Sequence, residues 1–168
     1  MLDILIKDAR IVDGTGNPWF RGDIGVSQGY IVAMDSCVDD AARMVIDADE
    51  RVASPGFIDI HSHDDLSFPR DPDCLSKLSQ GVTTVVVGNC GFSMYPVVPE
   101  HKSQCSAFLA SLSKHVTEDD LAPSLHDYAS SLKKQGITTN VASLVGHGAI
   151  RIAAMGYEPG PPSQDQLS

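Results

Sequence analysis

Apolar and polar positions change their rhythm once along this chain, near Pro55. Before it, "DILIKDARIVDGTG", "GDIGVSQGYIVAMD" and "RMVIDADERVASPG" alternate or cluster aliphatic residues over short runs that break at Gly, Asp and Asn. That spacing predicts short strands and turns, with a hairpin-like reversal around Asp49 and Glu50. After Pro55-Gly56, "FIDI" reads as a brief apolar strand ending at His61. "DPDCLSKLSQG" reads as a helix with Asp71 as N-cap, Pro72 in the first position and Gly81 as the stop. "VTTVVVG", β-branched and almost wholly apolar, predicts a strand buried on both faces of a parallel sheet. Residues 102–116 form a predicted helix and "TEDDLAP" a connector. "PSLHDYASSLKKQG" carries a capping box at Ser124 and Asp127, one face with Leu125, Tyr128 and Leu132, and a terminating Gly136. "TNVASLVG" predicts another buried strand, "HGAIRIAAMG" another helix, and the proline-rich tail a linker.

Strand and helix therefore alternate after Pro55, which implies an α/β architecture with a parallel sheet and right-handed crossovers. Either a barrel or a doubly wound sheet fits. In both, polar groups at the C-terminal ends of strands are where chemistry belongs. The expected division is an all-β layer over 1–54, about three βα units over 55–158, and a linker or truncated tail over 159–168, ending at Ser168. Three strands cannot close a barrel of eight.

Composition sharpens this only in places. The 168 residues are 42% hydrophobic, enough for a core. The formal charge is −10 and the pI about 4.8, which speaks against nucleic acid or an anionic membrane as partner. Charges fall within the first ten residues, and no stretch approaches the roughly 18 apolar residues of a membrane span. The four cysteines, Cys37, Cys74, Cys90 and Cys105, have no CxxC or disulfide-framework spacing. A cytoplasmic protein with free thiols is the expectation.

The candidate chemistry sits at three predicted strand ends: His61 and His63 on the first, Cys90 on the second, His147 on the third. Residues i and i+2 of a strand point the same way, so the two imidazoles converge. Imidazole and thiolate are zinc donors, and Asp59, Asp64 and Asp65 offer carboxylates. Asp64 or Asp65 could fix a histidine tautomer through the second ring nitrogen. Cys90 taken alone reads equally as a small buried hydrophobe, and His147 as a helix-start residue with a local hydrogen bond. His101, His115 and His126 read as surface residues.

"ASPGFIDIHSHDD", "QGVTTVVVGNCGFS" and "NVASLVGHGAIR" together resemble the N-acyl-D-amino-acid deacylase (D-aminoacylase) branch of the amidohydrolase superfamily, over nearly the whole chain. The PGFIDxHxH signature marks the superfamily, and GNCG narrows it to this branch. The resemblance implies the N-terminal part of a metal-dependent hydrolase (β/α)8 TIM barrel, preceded by strands of a small β-sandwich domain. It implies zinc, with one tight site and room for a second, weaker one. The implied ligands here are Cys90 for the tight site, with two histidines from later strands, and His61 and His63 for the weaker one, with an Asp from a later strand; Asp64, Asp65, His147 and Arg151 are the substrate-side or supporting candidates. The implied reaction is hydrolysis of the amide of an N-acyl-D-amino acid, a small-molecule substrate. Zinc in such a site lowers the pKa of water from ~16 toward ~7, and a carboxylate moves the proton. Two further histidines and the catalytic Asp of the family come from later strands, which places them beyond Ser168. No catalytic residue is therefore assigned within the chain, which is expected to be inactive alone and prone to self-association. A cyclic-amidase or isoaspartyl-peptidase relative, or a non-catalytic half-barrel assembly module, are the alternatives.

Overall fold

The computed structural model describes residues 1–167 and divides the chain at Pro55 into two compact units. Ser168, the last residue of the expected tail and the point past which the catalytic Asp is expected, lies outside the described residues. In the first unit, β1 (Leu2–Ile11) is the central strand. It pairs antiparallel with β2 (Phe20–Ser27), which pairs antiparallel with β3 (Tyr30–Asp35). On its other edge β1 takes β4 (Ala42–Asp47) and the two-residue β5 (Val52–Ala53), both parallel.

The segment around Asp49 and Glu50 is therefore not a hairpin. The cause lies in β1, whose register slips between Ile6 and Ala9 and whose Asp8 has φ 58°. β4 runs beside the first half of β1 and β5 beside its end. Asp49 and Glu50, both with positive φ, carry the chain past the bulge, and the Glu50 amide donates to the Asp8 carbonyl. One cluster of Ala9, Ile11, Ile24 and Ala48 and another of Leu2, Leu5 and Val38 form the cores of this layer.

The second unit holds a parallel sheet in the order β6 (Phe57–Asp59), β7 (Val82–Val87), β8 (Asn140–Ser143). Around it lie α1 (Leu75–Leu78), α2 (Lys102–Leu109), α3 (Leu125–Gln135), α4 (His147–Met155) and α5 (Gln164–Leu167). The tail expected as a linker thus carries a short helix over its described part. Val85 and Val87, two apart on β7 and fully buried, join Phe68, Met94, Leu109, Tyr128, Leu132 and Ile152 in one continuous core. The Ser124 hydroxyl accepts the Asp127 amide at the start of α3, and Gly136 ends that helix at φ 79°.

Four further local expectations differ from the structure. β6 stops at Asp59, before His61. Asp71 and Pro72 lie in a turn, and α1 begins only at Leu75 because Cys74 takes a left-handed conformation at φ 48°. α2 ends at Leu109 rather than Val116. The fourth is burial of the strands on both faces: β7 buries Val85 and Val87 but leaves Thr83 exposed and Val82, Thr84 and Val86 half-buried, and β8, at the sheet edge, alternates exposed and half-buried residues. No helix among the described residues is long and apolar enough to cross a membrane.

Candidate metal centre

Past the end of β6 the chain bends at Ile60 and His61, and the Ser62 amide then donates to the Val86 carbonyl at 3.0 Å. Ser62 is buried there, while His61 is exposed and His63 half-buried. β7 ends at Val87 and passes through Gly88, at φ 82°, into a single 3-10 turn of Asn89, Cys90 and Gly91. A Cβ at Gly88 would stand 2.1 Å from the Leu144 carbonyl oxygen, and one at Gly146 would stand 2.4 Å from that of Gly91. Only glycine lets the loops after β7 and β8 touch backbone to backbone.

Cys90 itself adopts φ 56° and ψ 21°. A non-glycine residue there costs about 1–3 kcal/mol, a strain that recurs at functional sites. What the conformation achieves is visible in the distances. His61 Nε2 lies 3.1 Å from Cys90 Sγ, and the donor atoms of His61, His63 and Cys90 all fall within 4.8 Å of one another.

Two nitrogens and one sulfur of a tetrahedral zinc site stand roughly 3.4–3.6 Å apart, given the usual Zn–N and Zn–S lengths. The three side chains need only small rotations to reach that spacing. His63 Nδ1 is buried with no hydrogen-bond partner among the described residues, an orphaned atom of the kind a ligand would satisfy. The donor set is thus suited to a borderline-soft divalent ion. An aromatic wall steadies one side: the His63 ring meets Phe92 edge-on at 6.0 Å, and Phe92 stacks on Phe108 at 4.4 Å. An open cleft of about 440 Å³ lies alongside, lined by His61, His63, Asp64, Lys77 and Leu112 among others.

The carboxylates around the histidines serve other partners. Asp59 accepts the His61 amide through Oδ1 and the Lys77 ammonium through Oδ2, at 3.1 and 2.6 Å. Lys77 foremost, then the His61 amide, holds Asp59 below the usual carboxylate range, and Asp59 in turn raises Lys77. Asp64 Oδ2 lies 3.2 Å from the same ammonium, within ion-pair reach though not aligned as a hydrogen bond. Asp65 is 1% exposed, and burial pushes its carboxyl up to about 7.

Neither Asp64 nor Asp65 belongs to the group of donors gathered within 4.8 Å. His147 opens α4 with an exposed side chain and also stands outside that group. Arg151 spends its guanidinium on Met155 Sδ and on the carbonyls of Glu158 and Gly160, which ties α4 to the turn after it. Two residues that the sequence reading passed over take part instead. Lys77 lies 14 residues beyond His63 with no spacing signal to mark it. Asn89 stood in view inside "GNCG", next to Cys90.

The sequence pattern of the amidohydrolase family matches residues 44–161. The chain is 39% identical over 155 residues to the N-acyl-D-glutamate deacylase of Alcaligenes xylosoxydans xylosoxydans, covering 92% of this chain and 30% of that protein. It is 36% identical over 153 residues to a D-aminoacylase of the same organism, covering 91% and 31%. Among solved structures it superimposes on the Bordetella bronchiseptica N-acyl-D-glutamate deacylase, complexed with zinc and a phosphonate inhibitor that mimics the tetrahedral intermediate. That match has a TM-score of 0.85 and 42% identity, over 98% of this chain and 34% of that one. The chain thus spans about a third of the length of the relatives it matches.

Proposed function

The chain belongs to the amidohydrolase family, and from that premise we propose that it supplies the first third of a zinc-dependent hydrolase that cleaves the amide bond of N-acyl-D-amino acids. The observation that carries this reading is the convergence of His61, His63 and Cys90 at the ends of two parallel strands. In this reading 1–54 is the first part of a small β-domain, and 55–158 holds the opening βα units of a (β/α)8 barrel. Residues 159–168 lead onward.

Zinc held by these donors would supply Lewis acidity and water of lowered pKa. The protein's own contribution here is geometric. Cys90, in its left-handed turn, presents its sulfur to the His61 ring. Phe92 bounds the His63 ring on one edge. Lys77 occupies Asp59 and Asp64, leaving nitrogen and sulfur as the available donors. The remaining donors, the proton-transferring carboxylate and the cations that hold the substrate carboxylate come from beyond Ser168 in this proposal. Arg151 has no part in it, because its guanidinium is already engaged. Isolated, the chain would leave sheet edges at β6 and β8 unpaired and would tend to self-associate.

The test sets two zinc-loaded proteins side by side: the 168-residue chain, and a chain continued to the relatives' length. Each is assayed for release of D-glutamate from N-acetyl-D-glutamate by chiral chromatography. The longer protein is expected to hydrolyse the amide and to lose nearly all activity on Cys90→Ala, while the short chain is silent. Vigorous turnover by the short chain would overturn the division of the site. Full activity of the Cys90→Ala protein would remove Cys90 from it.

A further inference from the structure

Cys90 and the two histidines lie on separate loops, so something must set the distance between those loops. Backbone pairing ends with the Ser62 amide on the Val86 carbonyl. Beyond it, side chains span the gap: His61 Nε2 meets Cys90 Sγ, the Asp65 carboxylate takes the Gly88 amide, and Asn89 bridges backbone to backbone. Asn89 Nδ2 donates to the Val86 carbonyl at 2.8 Å and to the Ser62 carbonyl at 3.2 Å, which uses both hydrogens of the carboxamide. Ser62 is the residue between the two histidines, and Asn89 is the residue before Cys90. The main chain of Asn89 adds a third tie, its carbonyl accepting the Phe92 amide at 2.9 Å and closing the turn that holds Cys90 at positive φ.

We propose that Asn89 is the positioning residue of the metal centre: its carboxamide clasps the His61–His63 segment to the Cys90 turn and so presets the sulfur against the imidazoles. This rests on the zinc-site reading above and extends it to a residue that touches no donor atom itself. A neutral amide suits the task. It bridges two carbonyls without adding charge beside a cation, whereas Asp in its place would set a carboxylate against those two carbonyl oxygens. Leucine matches its shape and offers no donor.

The experiment is a titration of the metal-free 168-residue chain with Co²⁺, a spectroscopic probe, followed through its visible ligand-field bands and its near-ultraviolet thiolate-to-cobalt band. Parent, Asn89→Leu and Cys90→Ala proteins are compared. Asn89→Leu is expected to bind Co²⁺ at least about tenfold more weakly, the lower end of the effect of supporting partners on metal affinity. Its thiolate band per bound cobalt is expected to fall relative to the ligand-field bands. If the Leu variant loses its far-ultraviolet circular dichroism, Asn89→Gln is read in its place. The Gln side chain keeps the donors but holds them one methylene too far, and it should weaken binding at least threefold.

An affinity and a thiolate band within twofold of the parent in the folded variant would overturn the clasp. So would weaker binding with an unaltered band per cobalt, because a merely structural role predicts that result. A parent spectrum with no thiolate band, indistinguishable from that of Cys90→Ala, would overturn the zinc-site reading and the clasp together. The failure of each is thus seen separately.

Discussion

The two units of this chain use β-structure for different ends. In Met1–Pro55 the sheet is mixed, so strand ends face both ways and no single edge collects them. Its one buried acid serves the backbone, Asp23 accepting the amides of Asp8 and Val38, while Asp3, Asp8 and Glu50 pair with arginines at the surface. Its buried clusters hold only four and three residues, while Tyr30, Ile31, Val32, Met44 and Val45 are exposed. From Gly56 onward all three strands are parallel, and sixteen buried residues form one core. Parallel strands bring every C-terminal end to one edge, so donors 27 residues apart, His63 and Cys90, meet without any local sequence relation. The sheet's direction gathers the chemistry, and the core beneath holds it in place.

The sharpest way to break this comparison is to damage each unit in turn. Phe68→Ala, at a fully buried core position, should cost about 3–5 kcal/mol in urea unfolding. Tyr30→Ala on β3, where the ring is 75% exposed, should stay within about 0.5 kcal/mol. Equal losses would mean that the apolar surface of the first unit is buried under the conditions measured.

Next in size is the response to metal. Zinc at 100 times its Kd should stabilise the parent chain by about 2.7 kcal/mol. Cys90→Ala should lose that gain while unfolding near the parent's midpoint when metal is absent. A Cys90→Ala chain that kept the gain would separate metal binding from the strand-end edge. Ser124→Ala, which removes the cap of α3, should cost about 1 kcal/mol wherever unfolding is followed.

The smallest effect is one of pH. Burial raises the Asp120 carboxyl, but its bonds from Thr117 and from Arg70 outweigh burial and hold it below its ordinary 3.8. A depressed carboxylate stabilises the fold above the unfolded pKa and loses that contribution as pH falls through the folded one. Arg70→Gln should therefore flatten the acid limb of stability below about pH 4 and change little at pH 7. An unchanged acid limb would show that the pair contributes nothing.

Much of this was legible in local signals. The α3 cap at Ser124 and stop at Gly136 follow from backbone chemistry that a short window contains. The nearness of His61 and His63 was local too, two residues apart, although the chain bends at His61 instead of running on as a strand. The false hairpin at Asp49 and Glu50 had a distant cause, the bulge of β1 at Asp8. The late start of α1 came from the left-handed Cys74, which no cap residue announces.

At the site, strand-end position gave the edge where His61, His63 and Cys90 come together, but not the direction of each side chain. Arg151 therefore turns to Glu158 and Gly160. The double bond of Asn89 to Ser62 and Val86 depends on two strands lying side by side, a fact of tertiary structure.

The central claim is that one sulfur and the imidazole nitrogens share an ion. Zinc K-edge X-ray absorption on the zinc-loaded chain reads this directly. The account predicts one sulfur at roughly 2.3 Å and nitrogens at roughly 2.0–2.1 Å, with the sulfur shell gone in Cys90→Ala. A shell of nitrogen and oxygen alone in the parent protein would contradict it.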